Sequence, residues 1–234
     1  EEINVQEIDH LLEIGPGKGA MTSLLLENCE SLTAIEIDKD LIRFLKKAYG
    51  DRKNFNLIEK DILLYDPKEL VRVNKLIGNI PYNISTPIIE WIIDNKSSFD
   101  EIFLMLQKEF GERCVAQPNT KSYGRLSIFV QCFFDVTVIR EVDKSSFDPS
   151  PKVQSIFLKL IPKVSDMTPN SILMKNLSTL TREAFSKRRK LITNSLKSFF
   201  TEEDLVNLGI ERKSRPENLS VETYIKLAKS IQSG

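Results

Sequence analysis

Short apolar runs alternate with segments of helical periodicity along the first two thirds of the chain. The apolar runs predict strands at 10–14, 32–38, 55–58, 76–79 and 101–106, and helices are predicted at 21–26, 40–47, 85–93 and 108–116. A run at 126–134 predicts a buried helix, and alternating stretches at 136–142 and 153–161 predict two closing strands. We therefore expect an α/β fold with a seven-stranded, doubly wound sheet, mostly parallel with a closing antiparallel hairpin.

The last third of the chain has a different pattern. After Pro169 only helical periodicity is present, with helices predicted at 172–185, 190–200, 202–208 and 221–231. We therefore divide the chain into an α/β domain, residues 1–163, and a small helical domain, residues 164–234.

Composition narrows the function classes. Lys plus Arg (33) equals Asp plus Glu (33), so any nucleic-acid surface must come from charge segregation rather than from net charge. The three cysteines have no Cys-x-x-Cys spacing, which indicates a reduced, cytoplasmic protein and argues against a metal site. No apolar run is long enough for a bilayer, so no membrane partner is expected. The single histidine, His10, is interpreted as a solvated strand-start residue, which disfavours chemistry that needs a histidine base.

The first predicted strand leads directly into a glycine-rich turn. Gly15 and Gly17 follow it, and a helical pattern comes next, the arrangement that starts a nucleotide- or nucleoside-binding sheet. Glu36 lies 21 positions after Gly15, at the end of the second strand, where an acid reaches ribose hydroxyls. The alternative for Glu36 is a solvated strand-end acid.

The fourth predicted strand ends in the tetrapeptide Asn79-Ile80-Pro81-Tyr82. Proline fixes its own φ and biases the preceding residue toward an extended conformation, so the carbonyls here point in set directions. Asn79 offers an amide and Tyr82 a flat aromatic face, a combination suited to a planar base with an exocyclic amine. The alternative is an ordinary strand end at a proline turn.

Three weaker signals lie elsewhere. Asp61 and Ile62 follow the third strand and suit an adenine amine and an adenine face, although Asp61 is equally a helix cap. Phe147 lies in a proline-stiffened loop and is a candidate for base contact or for the core edge. A basic run in the helical region predicts either a solvated face or a phosphate-binding patch, formed by Arg182, Lys187, Arg188, Arg189 and Lys190.

Taken together, these motifs resemble a known family. Residues 13–19, 36–38, 61 and 79–82 are similar to S-adenosylmethionine-dependent adenine-N6 methyltransferases of ribosomal RNA. Within that group the resemblance is to the small-subunit rRNA dimethyladenosine transferases, and it is carried by residues 106–109, 123–127, 147–153 and 185–190. Ile80 replaces the leucine usual in the group. An upstream segment that folds over the cofactor in the family has no match, so we expect a truncated chain with weakened cofactor affinity.

The resemblance implies a Rossmann-like class I methyltransferase sheet and N6,N6-dimethylation of two adjacent adenosines in the 3′-terminal hairpin of small-subunit rRNA. It assigns Gly15, Gly17, Glu36, Asp61, Ile62 and Asn79 to cofactor binding, and Asn79, Pro81, Tyr82 and Phe147 to catalysis. It also implies a role in small-subunit biogenesis, rRNA or the pre-30S particle as partner, and a monomer without metal.

Other interpretations of the same residues are open at this point. The run around Asn79 is also similar to macrolide-resistance methylases of large-subunit rRNA. Some relatives of the fold bind nucleic acid or assist ribosome assembly without catalysis. Gly15, Gly17, Ala20 and Glu36 also satisfy the fingerprint of a nicotinamide dehydrogenase.

Overall fold

The computed structural model describes residues 2–69, 73–146, 153–164, 168, 171–186 and 189–231. A seven-stranded sheet has the order β3-β2-β1-β4-β5-β7-β6. Its strands are β1 His10–Ile14, β2 Ser31–Glu36, β3 Phe55–Glu59, β4 Lys75–Asn79, β5 Glu101–Gln107, β6 Phe134–Val142 and β7 Ser155–Pro162. The first five strands pair in parallel, and β7 pairs antiparallel with β5. The predicted α/β class and mixed sheet are therefore confirmed.

The helices fill the connections between strands and form the C-terminal region. Their bounds are α1 Thr22–Leu26, α2 Lys39–Tyr49, α3 Ser85–Asp94, α4 Lys108–Val115, α5 Arg125–Phe133, α6 Ile172–Ser186, α7 Ile192–Ser195, α8 Glu202–Asn207 and α9 Val221–Ser230. Short 3-10 turns cover 62–64, 67–69, 82–84, 96–98, 144–146 and 216–218. In the part of the chain described, no helix combines the length and apolar character that crossing a bilayer requires.

The predicted helix at 190–200 is wrong. Only Ile192–Ser195 is helical, because Leu191 has an extended backbone (φ −60°, ψ 148°) and Leu196 leaves helical geometry (φ −107°, ψ 14°). The segment between them contains threonine, asparagine and serine, whose side chains compete for backbone hydrogen bonds. The Ser195 hydroxyl donates to the Leu191 carbonyl at 3.2 Å, and the Ser195 N–H donates to the same carbonyl at 3.1 Å, so this segment keeps one hydrogen-bonded turn.

The chain divides into two compact units. One comprises Glu1–Gly111 and Asp135–Pro162, and the other comprises Glu112–Phe134 and Lys163–Gly234. Residues 112–134, assigned above to the N-terminal domain, thus cluster with the C-terminal helices. In that second unit, the Tyr123 hydroxyl donates to the Leu219 carbonyl at 2.9 Å, and Tyr123 is fully buried.

In the first unit, the apolar faces of the sheet form the core. Leu11, Leu32, Ile77, Phe103 and Phe157 are all buried in one cluster drawn from five strands. Because parallel strands run in one direction, their carboxyl ends meet at one edge of the sheet, where ligands of such folds bind. The residues that follow β1, β2, β3 and β4 therefore belong to the same neighbourhood.

Candidate active site

The turn after β1 is held against the neighbouring strand by its backbone. The Gly15 N–H donates to the Ile35 carbonyl at 3.0 Å, and both Gly15 (φ +62°) and Gly17 (φ +60°) occupy the left-handed region. A Cβ on Gly15 would lie 3.8 Å from the Asn79 carbonyl oxygen, so the glycine turn and the end of β4 are adjacent. A Cβ on Gly17 would meet no described atom within 4 Å, which leaves open space beside the turn for a ligand.

Asn79 ends β4 as an exposed residue, whereas the four preceding residues of the strand are buried. Ile80 is buried, and its N–H donates to the Met105 carbonyl at 3.0 Å. The strand register thus continues past Asn79 and fixes the backbone on both sides of its side chain. The Asn79 carboxamide is therefore presented from a rigid corner next to the glycine turn.

The residues after Ile80 form a tight turn. The Pro81 carbonyl accepts the Ile84 N–H at 3.1 Å and faces the Ser85 hydroxyl at 3.5 Å. Because this carbonyl is already engaged, the Ile80 carbonyl is the better candidate for a second acceptor beside Asn79. Tyr82 is 39% exposed, and its hydroxyl lies 3.3 Å from Ser155 Oγ.

Glu36 is not the solvated strand-end acid of the alternative interpretation, since it is 7% exposed. Its Oε1 accepts the backbone N–H groups of Ile37 at 2.8 Å and Asp38 at 3.0 Å, which fixes the carboxylate at the end of β2. These two bonds use one oxygen, so Oε2 can accept from a ligand hydroxyl. Ile37, which the sequence reasoning did not select, is 66% exposed beside it and offers an apolar surface.

The residues after β3 lie near the same edge, since the Lys60 N–H donates to the Glu36 carbonyl at 3.1 Å. Asp61 does cap the following turn, because its Oδ1 accepts the Leu63 N–H at 3.0 Å. Its second oxygen is not used in that cap. Ile62 is only 6% exposed and Ile37 is the more accessible apolar surface, so contact between Ile62 and an adenine face stays a prediction.

Glu13 is a second residue that the sequence reasoning did not select. It is fully buried in β1, with Oε2 accepting the Thr22 hydroxyl at 2.7 Å and Oε1 without a hydrogen-bond partner among the described residues. Burial raises the pKa of Glu13 to about 7, and the Thr22 hydrogen bond opposes that rise. The sequence does carry a signal for Glu13, because it is an acid inside an otherwise apolar strand, two positions before the first glycine.

The predicted basic patch is partly described. Arg182 on α6 is exposed, as are Arg189 and Lys190. Lys187 and Arg188 lie outside the described residues, and so does Phe147. In the described residues, no group of three or more His, Cys, Asp or Glu side chains is arranged to hold a metal ion.

The chain resembles known proteins over nearly its whole length. Residues 1–233 match the family model described as ribosomal RNA adenine dimethylase. The chain is 38% identical over 229 residues to ribosomal RNA small subunit methyltransferase A of Coxiella burnetii, covering 97% of this chain and 88% of the relative. It is 40% identical over 232 residues to the protein of that name from Legionella pneumophila, covering 99% and 90%.

Solved structures are also similar to this chain. A dimethyladenosine transferase from Plasmodium falciparum superposes with a TM-score of 0.79 at 31% identity, covering 95% of this chain and 90% of that one. The 23S rRNA methyltransferase ErmE superposes with a TM-score of 0.74 at 22% identity, covering 97% and 93%. The second likeness supports the fold alone.

Proposed function

Because the chain belongs to the ribosomal RNA adenine dimethylase family, it is an rRNA adenine methyltransferase, and we propose that it dimethylates N6 of two adjacent adenosines in the 3′-terminal hairpin of small-subunit rRNA. The names of its relatives support the small subunit as substrate. The observation that carries the proposal is the exposed Asn79 at a rigid strand end, directly beside the Gly15 turn. The family match excludes the nicotinamide dehydrogenase.

The site fits S-adenosylmethionine as methyl donor. The backbone at Gly15 and Gly17 would lie along the methionine and ribose parts of the donor, since the space beside Gly17 is open. Glu36 would accept from the ribose hydroxyls through Oε2, with its other oxygen already fixed by the backbone. Asp61 would accept from the adenine amine, and Ile37 would cover the adenine face. The bound donor supplies a methyl group activated on a sulfonium.

The chain's own residues would align the target amine. The N6 lone pair is delocalised into the purine ring, so the free amine is a poor nucleophile. Asn79 Oδ1 and the Ile80 carbonyl would accept the two N6 hydrogens, which favours a tetrahedral nitrogen and directs its lone pair at the methyl carbon. Asn79 and the Ile80 carbonyl would hold the amine while the bound donor supplies the methyl group, and the proton that N6 releases on methylation would pass to water. Positioning and fixed dipoles of this kind contribute roughly 7–11 kcal/mol to a well-aligned step.

The target base must leave its stack to reach this corner. Tyr82, with 39% of its surface exposed, would stack on the extruded ring, and Phe147 is the second aromatic candidate. The exposed Arg182, Arg189 and Lys190, with Lys187 and Arg188, would bind rRNA phosphates. We further propose that the protein acts as a monomer on a pre-30S particle in the cytoplasm.

The test is tritiated methyl incorporation into undermethylated small subunits, with undermethylated large subunits as the competing substrate. We expect incorporation into the small subunit only, at N6 of adjacent adenosines. In Asn79→Ala we expect transfer to fall at least about a hundredfold, while calorimetry finds cofactor affinity within a few fold of the parent.

Two results would contradict the proposal. Methylation of large subunits would favour the macrolide-resistance alternative. Binding of small subunits without any incorporation would favour an assembly factor. Equal turnover in Asn79→Ala and the parent would refute the role of Asn79 alone.

A further inference from the structure

We propose that Ser155 is a positioning residue that holds the Tyr82 ring in the orientation needed to stack on the target adenine. The inference rests on the proposed function, in which Tyr82 contacts the base. Ser155 begins β7, is 2% exposed and lies with its Oγ 3.3 Å from the Tyr82 hydroxyl. In the proposed site it touches neither donor nor target, so it acts only through the tyrosine.

An exposed tyrosine ring needs such a contact. Tyr82 lies in a short 3-10 turn, and 39% of its surface is exposed, so packing constrains its side-chain torsions less than it would at a buried site. A ring that samples several rotamers must be ordered when the base arrives, and this ordering costs free energy. The described contacts of the Tyr82 hydroxyl include one side-chain partner, Ser155.

Ser155 is itself firmly placed. It stands opposite Gln107 in the antiparallel pairing of β7 with β5, and the Lys108 N–H donates to the Gln154 carbonyl at 2.9 Å. Strand β5 also receives the Ile80 N–H through Met105. Strand β5 therefore supports both the acceptor groups at Asn79–Ile80 and, through Ser155, the aromatic ring of Tyr82. This common support explains why a hydroxylated ring is useful at a position where stacking requires only an aromatic face.

The contact predicts coupling between two residues. Ser155→Ala should lower kcat on undermethylated small subunits about threefold to tenfold, the value of one neutral hydrogen bond. Tyr82→Phe should lower it by a similar factor, because it removes the other end of the same bond. In the double variant the serine substitution should cost less than about twofold beyond Tyr82→Phe. The cofactor dissociation constant should stay unchanged in all three.

A second pair of variants separates the effect of the Ser155 hydroxyl from the effect of side-chain packing. Ser155→Thr and Ser155→Val add nearly the same volume at this buried site, and only threonine keeps the hydroxyl. We expect Ser155→Thr to retain more activity than Ser155→Val, at similar melting temperatures. The ring signal of Tyr82 in ¹³C-tyrosine-labelled protein, assigned by its loss in Tyr82→Phe, should shift in Ser155→Val and not in Ser155→Thr.

The outcomes are distinguishable. An active parent whose rate equals that of Ser155→Ala would overturn this inference alone. So would an equal loss from Ser155→Ala in the parent and in the Tyr82→Phe variant, because the serine would then act through another group. A parent that transfers no methyl groups to either subunit would overturn the proposed function and this inference with it.

Discussion

Replacing Glu13 by glutamine should stabilise the protein at neutral and alkaline pH. Burial raises the pKa of Glu13 from its ordinary value of 4.5 to about 7. One pKa unit corresponds to about 1.36 kcal/mol, so the ionised carboxylate costs the folded state about 3 kcal/mol. Glutamine keeps the shape and an acceptor for the Thr22 hydroxyl but never carries the charge.

The pH dependence has a definite sign. A carboxyl with a raised pKa binds its proton more tightly in the folded protein than in the unfolded chain. Its contribution to stability is therefore fully present below about pH 4.5 and is lost as the pH rises toward 7. The stability of Glu13→Gln minus that of the parent should consequently increase by about 3 kcal/mol between about pH 4.5 and about pH 8, then level off.

Urea unfolding at several pH values measures this difference. Trp91 is the single tryptophan and is buried in α3, so its fluorescence reports on the unit that contains Glu13. Glu27→Gln, at an exposed position after α1, is the matched control and should show no such trend. A stability difference between Glu13→Gln and the parent that stays constant across this pH range would refute the reasoning.

Three further substitutions test other parts of the site and its support. Lys75→Met should lower the unfolding free energy by about 3–5 kcal/mol in urea titrations, because the buried Asp9 carboxylate loses the cation that contacts it at 2.7 Å and keeps the Gln6 N–H and the Asn74 amide as its remaining described donors; a loss below about 1 kcal/mol would contradict this. Ile37→Ser should weaken S-adenosylhomocysteine binding about tenfold in calorimetry, since it removes the exposed apolar surface next to Glu36; unchanged affinity would assign the adenine face elsewhere. Gly15→Ala should cost about 1–2 kcal/mol and lower the melting temperature, because its φ of +62° is strained for any residue with a Cβ; an unchanged melting temperature would show that the turn relaxes.

The sheet could be predicted from the sequence because the hydrophobic pattern of its strands differs sharply from that of the helices between them. Most strands of the parallel part are short apolar runs followed by polar or glycine residues, so their places are readable from the sequence, although the second strand was predicted to end at residue 38 and ends at Glu36. Asn79, Glu36 and Gly15 were found for that reason, since all three stand at or just after strand ends. The predicted helix over Lys190–Phe200 was wrong because its apolar spacing suggested a continuous helix, whereas the backbone leaves helical geometry at Leu191 and again at Leu196.

The sequence alone does not show which hydrogen bonds each polar group makes. Asp61 was readable as either a cap or a ligand acceptor, and only the Leu63 contact shows that one oxygen is committed to the cap. The choice between the Ile80 and Pro81 carbonyls depended on the Ile84 N–H, a contact that exists only once the turn has formed. Residues that are distant in sequence, such as Tyr82 and Ser155, meet only because β7 joins the sheet beside β5.

The proposed chemistry needs no histidine base, and the single histidine of the chain, His10, begins β1 rather than following its carboxyl end. A delocalised amine gains nucleophilicity from acceptors that hold its hydrogens out of the ring plane, and such acceptors help most when they need no reorganisation. Asn79 meets this condition because the buried β4 precedes it and the Ile80–Met105 hydrogen bond follows it. Loosening that backbone should therefore reduce the rate of methyl transfer even with every polar side chain of the site intact.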